Sequence, residues 1–135
     1  VPPDLSLIAR ARGTDYLYTF LRSFYSDPSR STGVNNIVLP GTAMPHVLWN
    51  LQGVQEAVWE GHPDALGNVQ KHFKEFKAVG TGSLTADEYD QFVRDTVNFL
   101  DYIGEPAQLK RRPLGFPVIA FLVFFTLLAL ALKKE

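Results

Sequence analysis

The run "LGFPVIAFLVFFTLLALAL", Leu114 to Leu132, constrains this chain more than any other feature: 19 residues pass without a charged side chain. At about 1.5 Å per residue a helix of that length reaches about 28 Å, close to the roughly 30 Å hydrocarbon core of a bilayer. Lys110, Arg111 and Arg112 precede the run and Lys133 and Lys134 follow it, placing cations where headgroups would lie. Pro117 falls in the first turn, where a missing N–H costs little. The run has neither the place nor the pattern of a cleaved leader. The chain therefore reads as a head over 1–109, a basic linker over 110–113, a single membrane anchor over 114–132 and a tail over 133–135. Three basic residues before the anchor against two after it lean the head toward the cytoplasmic side, by a margin of one.

Charge narrows what the head can do. Residues 1–109 carry 8 Lys and Arg against 13 Asp and Glu, and six of those acids lie between Asp87 and Glu105. A net charge of −5 does not suit a nucleic-acid partner; it would draw a basic one, or it is simply a solvated helix face. There is no cysteine among the 135 residues, so disulfides and Cys-based metal sites are excluded. His46, His62 and His72 lack the spacing of a helical metal pair, and no phosphate loop, GxSxG elbow or HExxH occurs.

Periodicity predicts the elements. Asp4 is placed to cap a short helix that Gly13 ends, and Thr14 to cap a second one with Leu17, Phe20, Leu21 and Phe24 on one face. "SDPSRSTGVNN" reads as loop, and "HVLWNLQG" as a short helix after Pro45. Residues 54–79 suit a hairpin broken at "HPDALGN". From Thr85, a capping box with Glu88 opens a helix whose stripe runs Tyr89, Phe92, Val93, Thr96, Val97, Leu100, Ile103 and which Gly104 and Pro106 end. That stripe is wide and aromatic, and the short elements upstream offer it little cover. The spacing predicts that Phe92, Val93, Phe99 and Leu100 bury against a helix this chain does not contain.

One side chain stands out for chemistry. Met44, the single methionine, lies in "VLPGTAMPHVLW" between Pro40 and Pro45. Prolines reduce the entropy lost in holding a thioether still, as a metal ligand requires. A lone methionine is more often a core filler, so on the residues alone both readings stand.

"PPDLSLIARARGTDYLYTFL", "GTAMPHVLW", "VNFLDYIGEP" and the apolar run occur in an order that resembles the C-terminal part of cytochrome c1, the haem-bearing subunit of the quinol:cytochrome c reductase (cytochrome bc1) complex. The short tail and the methionine loop look bacterial. The resemblance implies a mostly α, class I c-type cytochrome-like head with a small β-hairpin and one transmembrane helix. That head is incomplete, lacking its N-terminal helix and the Cys-x-x-Cys-His motif that attaches haem c and supplies the other axial ligand. It makes Met44 the axial ligand of the haem iron and assigns Pro3, Arg12, Tyr16 and Pro45 to the haem pocket, with Arg12 and Tyr16 on the propionates. His46 competes with Met44 only along a different backbone path. The implied role is that of an electron-carrying subunit, rather than an enzyme on its own. It would pass single electrons from the Rieske iron–sulfur protein to a soluble cytochrome c, beside cytochrome b in a dimeric complex. Family topology implies a bacterial inner membrane with the head on the periplasmic side, against the lean of the basic residues. The rival expectation is a haem-free, single-pass structural subunit in which Met44 only packs.

Overall fold

The computed structural model describes residues 3–63 and 69–133. Pro2, residues 64–68 of the "HPDALGN" stretch, and Lys134 of the tail lie outside the described residues. Helices account for about half of the chain, with two small antiparallel sheets.

Two short helices open the head: α1 (Ile8–Arg12) and α2 (Thr14–Arg22). Gly13 turns the chain between them at φ +87°, a conformation that β-carbons disfavour. Neither helix carries the side-chain cap its sequence suggests. Asp4 instead folds into a turn, accepting the Ser6 amide at 2.9 Å, and Thr14 already lies inside α2.

α2 stops before Phe24. The Ser23 hydroxyl donates back to the Thr19 carbonyl at 2.6 Å, and Phe24 opens strand β1 (Phe24–Ser26). The segment expected to be loop contains its partner β2 (Val34–Asn36), with Phe24 opposite Asn36. Local helical spacing at Phe24 thus yields to strand pairing.

The expected short helix is α3 (Trp49–Gln52). The expected hairpin is β3 (Gln55–Pro63) paired with β4 (Val69–Ala78). Its register slips at Val58/Trp59, where Glu75 faces Val58 and Phe73 faces Trp59, so Lys74 is an extra residue on β4. The bulge lets Phe73 and Phe76, an odd three apart, share a face, their rings 4.6 Å apart. Trp59 and Tyr25 extend this cluster edge-on. The opposite face carries the Glu60–Lys74 ion pair and sets Glu56 against Lys77.

The chain after β4 folds back along α3 by Ser83 N to Asn50 O (2.9 Å) and Leu84 N to Leu51 O (3.2 Å). A β-carbon on Gly82 would overlap the Leu51 carbonyl, so only glycine allows this crossing.

α4 (Ala86–Gly104) opens on the full capping box of Thr85 and Glu88. Its Tyr89, Val93 and Val97 bury against Ala9 and Leu17 of α1 and α2, and this cluster is the core. Val93 is 0% exposed, so helices within the chain cover it, contrary to expectation. Phe92 and Phe99, about a quarter-turn away, remain 39% and 60% exposed. Gly104 closes the contact, lying beneath Arg10 and the Ser6 carbonyl of the α1 region.

α5 (Gln108–Lys133) is a continuous helix that takes in both Lys110–Pro113 and the apolar run. It is long and apolar enough to cross a membrane, and none of that window is buried against the head. Arg111 pairs with Glu105 at 2.6 Å, tying its first turn to the end of α4.

Candidate functional site

The loop that carries Met44 is shaped by side chains that bond to its backbone. Asn36 Oδ1 accepts the amides of Val38 (2.9 Å) and Leu39 (3.2 Å). Asn35 Oδ1 accepts Gly41 N at 2.8 Å, and Arg30 donates to the Gly41 carbonyl at 2.8 Å. Buried Thr42 then accepts the Met44 amide at 3.3 Å. Met44 is half-buried and Pro45 exposed.

His46 follows, buried, its ring parallel to that of Phe24 with centroids 4.9 Å apart. Its Nε2 and Gln52 Oε1 both lack a hydrogen-bond partner in the interior. Burial pushes the imidazole below its ordinary pKa, and the nearby Gln52 opposes this in part. The stacked His46 ring forms part of a wall beside the Met44 loop.

From His46 a column of rings leads up α2. Phe24 meets Phe20 edge-on at 5.1 Å, Phe20 stacks on Tyr16 at 6.0 Å, and the Arg12 guanidinium lies 5.7 Å from the Tyr16 ring. Tyr16, Phe20 and Phe24 stand four apart in sequence, so the wall follows the helix period and carries it two residues past the helix end. The structure thus sets the Met44 loop at one end of an aromatic wall and Arg12 with Tyr16 at the other. Pro3 lies exposed ahead of α1 and is not part of this wall. Phe20, Phe24 and Asn36 escape a reading by motif. The four-residue spacing of the rings was the available signal for the first two, and no pattern marks Asn36.

Chemically, the site offers one soft, uncharged sulfur donor, an apolar aromatic wall and a cation at its far end. Among the described residues no group of three His, Cys, Asp or Glu could hold a metal ion. This donor set fits a flat, apolar iron cofactor with carboxylate arms better than a bare cation, since a thioether favours soft or ferrous metal. Met44 is the one thioether that this chain could offer such a cofactor.

A larger groove, about 880 Å³, lies elsewhere, between Tyr18, Arg22, Gln55, Phe76 and the 80–86 turn. It includes neither Met44 nor Arg12. At its rim Asp90 accepts bonds from Tyr18 and from Arg94 (2.7 Å), with Arg22 at 3.0 Å. Tyr18 first, then Arg94, hold the Asp90 carboxyl below its ordinary pKa.

Fold and site together give a small α-rich head with one thioether donor, followed by a helix long and apolar enough to cross a membrane. The Cytochrome C1 family matches residues 77–135. Over 135 residues the chain is 50% identical to cytochrome c1 of Allochromatium vinosum, covering 54% of that protein. It is 47% identical to a Nitrosomonas europaea protein named ammonia monooxygenase gamma subunit, of which it covers 53%. With cytochrome b/c1 of Bradyrhizobium diazoefficiens it shares 31% identity over 99% of its length, covering 20% of that protein. The C-terminal part of the chain thus matches the Cytochrome C1 family, and its whole length is similar to cytochrome c1 of Allochromatium vinosum. It spans about half the length of the first two relatives. The family binds haem c, and the cysteines that would attach it are absent from these 135 residues.

Proposed function

We propose that this chain is the Met-ligand half of a haem c site in a membrane-anchored cytochrome c1. In this reading it passes single electrons from a Rieske iron–sulfur protein to a soluble cytochrome c within a dimeric bc1 complex, beside cytochrome b. The observation that carries the reading is Met44 itself. It is the one soft donor of the chain, held in a side-chain-braced loop at the end of an aromatic wall whose other end carries Arg12. The Bradyrhizobium relative, whose name joins b and c1, supports the cytochrome b partner. The head faces the periplasm of a bacterial cell, α4 crosses an upstream helix in the class I manner, and Pro3 and Pro45 border the cofactor.

Haem supplies the one-electron chemistry. The chain's own residues do the rest. Met44 offers a neutral sulfur, which stabilises reduced iron relative to a charged ligand. Phe20, Phe24, Tyr16 and His46 exclude water from one side, lowering the local dielectric around the cofactor. Arg12 supplies a fixed positive charge for a carboxylate arm, and Tyr16 a hydroxyl. No acid, base or nucleophile is needed.

A haem-free structural subunit is the second reading, favoured by the absence of cysteine. Because the chain covers 54% of its Allochromatium relative, that absence does not distinguish the two. The test is electron delivery by the full-length protein in its membrane complex. Met44→Leu should leave covalent haem content unchanged and abolish rapid reduction of soluble cytochrome c. A parent without haem, or a variant as fast as the parent, would contradict the reading.

A further inference from the structure

Asn36 is among the least accessible side chains of the head, at 0% exposure, and both polar atoms of its side chain are hydrogen-bonded. Its Nδ2 donates to the Phe20 carbonyl at 2.8 Å, while its Oδ1 accepts the amides of Val38 and Leu39. Phe20 belongs to the ring wall, and Val38 and Leu39 begin the loop that carries Met44. One side chain therefore bolts the loop to the helix.

The backbone beside it is fixed too. Asn36 pairs with Phe24 across the small sheet, and the Ile37 amide donates to the Ser23 carbonyl at 3.1 Å. The neighbouring Asn35 accepts the Asn36 amide at 2.9 Å and the Gly41 amide at 2.8 Å. The series ends at Thr42, which receives the Met44 amide. Downstream of Met44 the loop is held by the His46–Phe24 stack. Upstream, the link to α2 is Asn36.

We propose that Asn36 is the positioning residue for Met44, holding the sulfur at the aromatic wall; this rests on Met44 being the iron ligand. The residue type follows from the bonds. Aspartate has no donor for the Phe20 carbonyl. Leucine would remove the partner of that buried carbonyl and of two part-buried amides, and serine is too short to span them. Without the bolt the loop samples arrangements with the sulfur displaced, and a competing ligand gains affinity in proportion to that population.

The test uses full-length, haem-loaded ferric protein titrated with imidazole, together with backbone amide exchange. Asn36→Ser should bind imidazole about tenfold more tightly than the parent, the loss of a buried hydrogen-bonding group. Exchange at Val38 and Leu39 should quicken by a similar factor. Val97→Ala, which weakens the α4 core far from the loop, should leave both readings at the parent value. If Asn36→Ser matches Val97→Ala in both, or if Val38 and Leu39 exchange freely in the parent, the inference is wrong. Met44→Leu separates the two claims. Imidazole binding no tighter in Met44→Leu than in the parent would overturn the ligand assignment, while exchange at Val38 and Leu39 still reports whether Asn36 holds the loop.

Discussion

Gly82 and Tyr89 show how single residues set the head's tolerance to change. A β-carbon at Gly82 meets backbone, the Leu51 carbonyl, which cannot rotate away as a side chain would. Gly82→Ala should therefore cost about 2–4 kcal/mol in thermal or denaturant unfolding of the full protein, against about 1–2 kcal/mol for Gly33→Ser, where space is open and the cost comes from the positive φ alone. Tyr89 donates its hydroxyl to the Leu21 carbonyl at 3.1 Å inside the α2–α4 contact. Burial first, against a small opposing pull from Arg22, pushes its phenol up to about 12 from 10.0. A folded-state value above the unfolded one means the contribution is whole below pH ~10 and is lost as pH rises toward 12. Tyr89→Phe should lower stability at neutral pH and flatten its fall in that alkaline window. An unchanged alkaline slope would place the hydroxyl in water. Arg12→Gln removes the cation at the end of the ring wall, which favours the more positive, oxidised centre. The haem potential should fall by tens of millivolts, and a potential that does not move would place Arg12 away from the cofactor.

At the scale of elements, the helices with the strongest local signals follow the sequence most closely. α4 has both halves of its capping box and a stripe seven residues strong; removing the cap with Thr85→Ala should cost about 1 kcal/mol, read from the melting transition. The apolar run was equally legible, because its pattern spans enough residues to outvote local exceptions, whereas the hairpin over 54–79 was harder to read, its β-branched and aromatic residues being interrupted by "HPDALGN". Phe24 was not. Its spacing extends α2, yet pairing with Asn36 and the side-chain capture of the Phe20 carbonyl end that helix at Arg22. The partner of α4 was also misjudged: α1 and α2 are short, but Gly13 lets them lie at an angle and cover Val93 between them. Of the site, Met44, Arg12 and Tyr16 were readable through resemblance. The wall that joins them, and the role of Asn36, depend on tertiary bonds that no local pattern encodes.

At the scale of the whole molecule, charge and anchor decide how the head meets its partners. Within the hairpin, Glu60 is paired with Lys74 and Glu56 faces Lys77. The hairpin is thus locally neutralised, and the −5 of residues 1–109 falls mostly on the acids of α4. With a basic soluble cytochrome c, the bimolecular rate should fall as salt rises, because the Debye length shrinks from about 30 Å at 0.01 M to about 10 Å at 0.1 M. A Glu56→Gln/Glu60→Gln variant should share the parent's salt slope, whereas Asp87→Asn/Asp95→Asn should flatten it. The reverse pattern in stopped-flow traces would move the docking surface to the hairpin. All of this presumes that the head carries haem through Met44. The most direct test is the near-infrared spectrum of the ferric, full-length protein. Met44 ligation predicts a weak sulfur-to-iron charge-transfer band in the parent that is absent in Met44→Leu with the haem still attached. A parent lacking the band, or a variant that keeps it, would contradict the assignment.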